Sequence, residues 1–267
     1  MRAALIIAAS LVVASCGESA PSVSSSTPAP PPTLAAEPAA IDVARVLVRG
    51  VGDLQGVRPD VVDAARGFGG VVRRELDGLI ALRAPTEAEQ RDAAGRDIVP
   101  DEPLVTTVLA RDAIALVVPD GGDVYAVTRA ELAGALQGDG RPLGLPQGFA
   151  VFGPPPESSV WPVLRRELSL PDDLPFVQVA GTSAEVVRRV REHGAALGVA
   201  SRTAVVGVRP LGISEDGATR SLSDDWPLHR ELLLVTRGAP TRFAALVEFA
   251  GSPAGLMTFQ REGFVAP

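Results

Sequence analysis

Arg111-Asp112-Ala113-Ile114-Ala115-Leu116-Val117-Val118-Pro119 is followed, after a short polar turn, by Val127-Thr128-Arg129-Ala130-Glu131-Leu132. Residues 113–118 are an apolar run with β-branched members and predict a strand. Thr128-Arg129-Ala130-Glu131 has the Thr-x-x-Glu form of a capping box and predicts a helix to about Gln137. A strand, a turn and a capped helix make one unit of an α/β fold.

The same alternation continues outward. Toward the C-terminus, residues 149–152 read as a strand, and Ser158-Ser159 caps a helix to about Leu168 with Pro162 in its first turn. Residues 175–179 form a strand. Thr182-Ser183-Ala184-Glu185 is another capping box, whose helix closes at His193-Gly194 with glycine at the left-handed cap. Short strands at 197–200 and 205–208 and a longer one at 231–236 follow. Phe243, Leu246, Val247 and Ala250 keep the i, i+3, i+4, i+7 spacing of a buried helical face, and Ser252-Pro253 caps a last helix ending before Gly263. Toward the N-terminus, residues 104–109 and 78–82 read as strands. Thr86-Glu87-Ala88-Glu89 opens a helix, and another spans about 59–66. Residues 44–48 predict the first strand, followed by Gly50-Val51-Gly52-Asp53, so the fold is expected to start near Ile41.

Ahead of it, residues 1–15 carry one charge, Arg2, and an apolar run over 3–14, shorter than the roughly 20 residues a spanning helix needs. Small residues then lead to Cys16, the only cysteine. This resembles a bacterial lipoprotein signal peptide (1–15), with Cys16 lipidated and the protein held on the periplasmic face of the envelope without a spanning segment. Residues 16–40 are rich in Ser, Pro and Ala and read as a disordered tether. The net charge is −7, unsuited to nucleic acid. The chain has no lysine, so its basic groups other than two histidines are all arginines. Aromatics are 4%, too few for stacking platforms that hold sugars or bases.

Residues 41–267 resemble periplasmic phosphate-binding proteins, the solute-binding components of ABC importers, in three places. One is residues 111–132, quoted above, which resemble that family's crossing strand and the helix after it. A second is 182–200, closing on Gly198-Val199-Ala200. The third is Trp226-Pro227-Leu228-His229-Arg230-Glu231-Leu232, with the close Phe249-Ala250-Gly251-Ser252-Pro253-Ala254-Gly255 and Glu262-Gly263-Phe264-Val265-Ala266-Pro267. The resemblance implies an α/β, two-lobed type II periplasmic-binding-protein fold with two crossing segments. Lobe one would comprise 41–118 and 209–267, and lobe two 119–208. It further implies a monomer that binds a small phosphate-like oxyanion between helix N-termini of both lobes and hands it to a permease.

Where the resemblance places the ligand, the chain has its own residues. Gly52 and Asp53 stand in the first loop, without the family's hydroxyl donors. Arg83 suits a bidentate oxyanion clamp and equally a surface arginine ahead of a helix. Ser158 and Ser159 suit donation to an anion, and N-capping also explains them. These five are the candidate ligand residues. The missing donors also admit a degenerate relative, a sensor or scaffold that keeps the fold without the anion site. Two histidines and one cysteine leave no zinc set. No Gly-x-Ser-x-Gly elbow occurs, and a phosphate loop requires lysine. The reading is a binding protein, not an enzyme, with no cofactor and no metal.

Overall fold

A computed structural model describes residues 30–94, 102–222, 226–265 and 267. Residues 1–29, where the signal peptide, Cys16 and most of the tether are expected, lie outside the described residues. The fold is that of the unit Pro31–Pro267.

Its elements run β1 (Leu34–Ala36), α1 (Ile41–Gly50), β2 (Asp60–Val61), α2 (Ala64–Val72), β3 (Gly78–Ala81), α3 (Glu87–Ala94) and β4 (Leu104–Val118). Then come β5 (Ala126–Val127), α4 (Arg129–Leu136), β6 (Ala150–Gly153), α5 (Val160–Leu168), β7 (Val177–Val179), α6 (Ser183–His193) and β8 (Ala196–Ser201). The chain closes with β9 (Arg209–Pro210), β10 (Gly212–Glu215), β11 (Ala218–Arg220), β12 (His229–Arg237), α7 (Ala244–Gly251) and α8 (Pro253–Arg261). The main sheet has the order β2-β1-β3-β12-β4-β8-β6-β7, with β9 also on β4; β11-β10-β5 form a small second sheet.

Two lobes share this sheet. In lobe one, β1, β2 and β3 are parallel, and β12 pairs antiparallel with both β3 and β4. One face buries Val43, Leu47 and Val48 of α1 with Leu246 of α7 and Phe259 of α8; the other buries Phe68 and Val71 of α2. In lobe two, β8, β6 and β7 are parallel and β4 is antiparallel to β8. Leu132 and Leu136 of α4 and Trp161 and Leu164 of α5 pack on one side, and Val186, Val187 and Val190 of α6 on the other.

β4 belongs to both lobes. Residues 104–113 pair with β12, and 114–117 pair with β8. The return crossing lies beside it, where Ile114 N donates to Leu228 O (2.7 Å) and His229 opposes Ala113. The sequence reading gave 209–228 to lobe one, yet Leu211, Ile213, Trp226 and Leu228 sit in the lobe-two core.

The capping boxes are legible in the structure. Thr128 and Glu131 form a reciprocal box, Thr182 accepts from Glu185 N, and Ser252 caps α8. The N-terminal part requires three corrections. The first strand is Leu34–Ala36, inside the stretch read as tether, and it is fully buried between β2 and β3. Alanine is a poor strand former in isolation, but here its small side chains sit beneath helices on both faces. The expected strand at 44–48 is instead helix α1. Val43, Ala44, Leu47 and Val48 are buried on one face, whereas Asp42, Arg45 and Arg49 alternate with them at helical spacing. The expected helix at 59–66 also shifts: Asp60–Val61 is a strand, and α2 starts after Asp63. Residues 205–208 are not a strand; pairing resumes at β9.

Candidate functional site

In parallel α/β sheets, the loops leaving the carboxyl ends of strands meet at one edge, and ligands bind there. In this chain the loops after β1, β2, β3, β6 and β7 meet between the lobes around a cavity of about 240 Å³. Its lining includes Glu37, Asp63, Arg83, Ser158, Ser159, Ser183 and Arg230. Arg230 lies at the start of antiparallel β12, which brings it to the same edge.

The centre of the network is a buried ion pair. Arg230 Nε and Nη2 lie 2.9 and 2.8 Å from Asp112 Oδ2, and both side chains are buried. Ser201 Oγ donates to Asp112 Oδ1 at 2.5 Å. Arg230 Nη1 donates to Ser159 Oγ at 2.8 Å. That hydroxyl therefore accepts from the protein and keeps its own hydrogen for another partner. Ser183 is arranged similarly, because its Oγ accepts from Ser201 N at 3.0 Å. Ser159 and Ser183 stand at the starts of α5 and α6, where first-turn N–H groups lack intrahelical acceptors and the dipole favours negative charge. The loop carrying Ser158 and Ser159 is held by Trp161 Nε1, which donates to Pro154 O and Pro155 O at 3.1 and 3.0 Å.

Lobe one presents a different wall. Glu37 follows β1, and its Oε1 accepts from Leu82 N at 3.2 Å; burial pushes its carboxyl above the usual range, against the pull of that hydrogen bond and of Arg230 and Arg83. Asp63 caps α2 by accepting from Arg66 N at 2.9 Å. Arg83 is taken by Glu89 in a bidentate pair (2.6 and 2.5 Å) and lies over the Phe68 ring, 5.1 Å from its centre. The guanidinium hydrogen bonds hold Glu89 down at about 2.

Of the five residues singled out from sequence, Arg83, Ser158 and Ser159 line this cleft. Gly52 and Asp53 do not. They form an exposed turn at the far end of α1, about 15 Å of helix from its cleft end. The reason is the misplaced first strand: the loop after it is Glu37-Pro38-Ala39, not Gly50 to Asp53. Glu37, Asp63, Asp112, Ser183 and Arg230 were missed. Ser183 lies within a capping box and Arg230 within the Pro-Leu-His-Arg segment, so both carried a signal. Glu37 lay in a Pro/Ala stretch and carried none.

His193 and His229 lie off the cleft lining; their Nδ1 atoms contact Ala195 O (3.1 Å) and Trp226 O (3.3 Å). Among the described residues, no group of three or more His, Cys, Asp or Glu could hold a metal, and no helix is long and apolar enough to cross a membrane.

No protein-family model and no curated protein matches the chain. Solved structures do. One, described as a phosphate ABC transporter substrate-binding protein with bound phosphate from Clostridium perfringens, aligns with TM-score 0.71 at 15% identity, over 89% of this chain and 100% of that one. An ABC-type phosphate transport receptor from Vibrio cholerae gives 0.65 at 18%, over 89% and 100%. The periplasmic molybdate-binding protein of Azotobacter vinelandii gives 0.51 at 9%, over 88% and 99%. The fold is thus the type II periplasmic-binding-protein fold, two lobes joined by two crossing segments, shared with phosphate- and molybdate-binding proteins.

Proposed function

We propose that this chain is the solute-binding component of an ABC importer and captures a small solute through an oxyanion group, with phosphate the first ligand to test. The observation that carries this is the polarity of two hydroxyls. Ser159 and Ser183 both accept hydrogen bonds from the protein, so each has a hydrogen to donate at a helix N-terminus. The fold shared with phosphate- and molybdate-binding proteins supports the same reading. Calorimetric titration with phosphate, sulfate and molybdate tests it. Micromolar binding of one is expected, and no heat with any of them at suitable protein concentration counts against it. In this reading lipidated Cys16 holds the protein at a membrane as a monomer. Cys16→Ser should release it into the soluble fraction, and unchanged membrane association sinks the anchor.

A second reading has its own observation. Both guanidiniums at the cleft are already ion-paired, Arg83 with Glu89 and Arg230 with Asp112. A receptor whose cations are satisfied internally also suits a sensor or scaffold that has lost its anion. Titration that stays silent with every oxyanion favours this one.

A further inference from the structure

The two walls of the cleft have opposite character. Lobe two contributes the starts of α5 and α6 with Ser158, Ser159 and Ser183, all suited to negative charge. Lobe one contributes Glu37 and Asp63, and its two guanidiniums, Arg83 and Arg230, are neutralised by Glu89 and Asp112. With the partners of both arginines included, and Glu157 at the lobe-two rim, five carboxylates face two guanidiniums. A bare dianion would fit one wall and be repelled by the other. The space also exceeds such an ion. About 240 Å³ is the liquid share of about eight waters. A separate cavity of about 460 Å³, lined by Asp42, Arg202 and Glu262, lies on the other side of Ala39.

Resting on the oxyanion reading above, we propose that the ligand is a small organic zwitterion. Its oxyanion group meets Ser158, Ser159 and Ser183 on lobe two, and an ammonium group meets Glu37 and Asp63 on lobe one. Glu37 is the specificity-determining residue. Its Oε1 is fixed by Leu82 N, and this leaves the carboxylate placed to accept from a cation inside the cleft. Such a ligand engages both lobes at once, which a ligand of single sign does not.

Matched pairs differing only in the amine test this on the full chain: 2-aminoethylphosphonate against ethylphosphonate, and β-alanine against propionate, with inorganic phosphate alongside. In at least one pair the amine should bind at least tenfold tighter by calorimetry. Glu37→Gln, nearly isosteric, should abolish that preference while keeping binding of the amine-free partner and a cooperative melt. Asp63→Asn, which keeps the α2 cap, should weaken the preference without removing the fold. Equal or tighter binding of phosphate and the amine-free partners overturns the zwitterion but leaves the oxyanion reading standing. An amine preference unchanged in Glu37→Gln overturns the role of Glu37. Silence with all five compounds, and with sulfate and molybdate, overturns both readings together.

Discussion

Asp112 and Arg230 show how much rests on single residues at the crossing. Each is almost fully buried, and each completes the other's hydrogen bonding. Removing one partner strands a charge in the interior, so Arg230→Met should cost about 3–5 kcal/mol in denaturant unfolding. The double variant Arg230→Met with Asp112→Leu should regain a substantial part of that stability, because an apolar pair needs no compensating charge. Failure of the second change to restore anything would show that the loss comes from packing. Gly255 is a second such position. A Cβ there would lie 1.9 Å from Phe249 O, within the backbone at the α7–α8 junction. Gly255→Ala must displace one helix and should cost about 3 kcal/mol or more in the same measurement. The Ser-x-x-Gly step that carried part of the family resemblance thus has two physical causes: Ser252 caps α8, and Gly255 lets the two helices meet.

At the scale of elements, β1 carries the sharpest prediction. It pairs on both edges, and Thr33 just before it is tied to Asp77 through its N–H and hydroxyl (2.7 and 2.9 Å). A chain beginning at Ile41 loses an internal strand and the Glu37 wall together. It should be largely unfolded by circular dichroism, whereas a chain beginning at Pro31 should melt cooperatively. Equal melts would mean that β1 contributes nothing. Local chemistry made other elements legible: Thr128, Thr182 and Ser252 announce helix starts through side-chain caps, and Gly194 announces an end with positive φ. Leu34-Ala35-Ala36 has no comparable local signal. Its strand exists because β2 and β3 supply partners from far along the chain, and so the cleft loop that follows it was illegible as well. Arg230 stands in a recognisable motif, but its contact with Asp112, 118 positions away, is visible only in three dimensions.

For the whole molecule, pH acts in two directions. Arg83 holds Glu89 down at about 2 from the usual 4.5. This stabilisation is complete above 4.5 and is lost as pH falls toward 2. Asp77 behaves in the same sense: burial raises its carboxyl, but the hydrogen bonds from Thr33 and Arg242 outweigh that and lower it. Glu37 is the opposite case. Its raised carboxyl favours the protonated form, so that contribution is present in acid and is lost as pH rises through its folded value. Melting temperature should therefore fall steeply below pH 4.5. Arg83→Met should flatten the acid limb, and Glu37→Gln should raise stability at neutral and higher pH. Glu37→Gln melting no higher than the parent at pH 8 would rule out a burial cost at that carboxylate.

The crossing at Ala113 and Ile114 has a mechanical consequence. Two flexible linkers would let the lobes pivot freely. Here the linkers are neighbouring strands hydrogen-bonded to each other, with Ile114 N on Leu228 O and a register shift a few residues along at Leu232 and Leu233. Such a joint behaves as a leaf spring. Any rotation of one lobe against the other has to be taken up as twist along β4 and the segment hydrogen-bonded beside it.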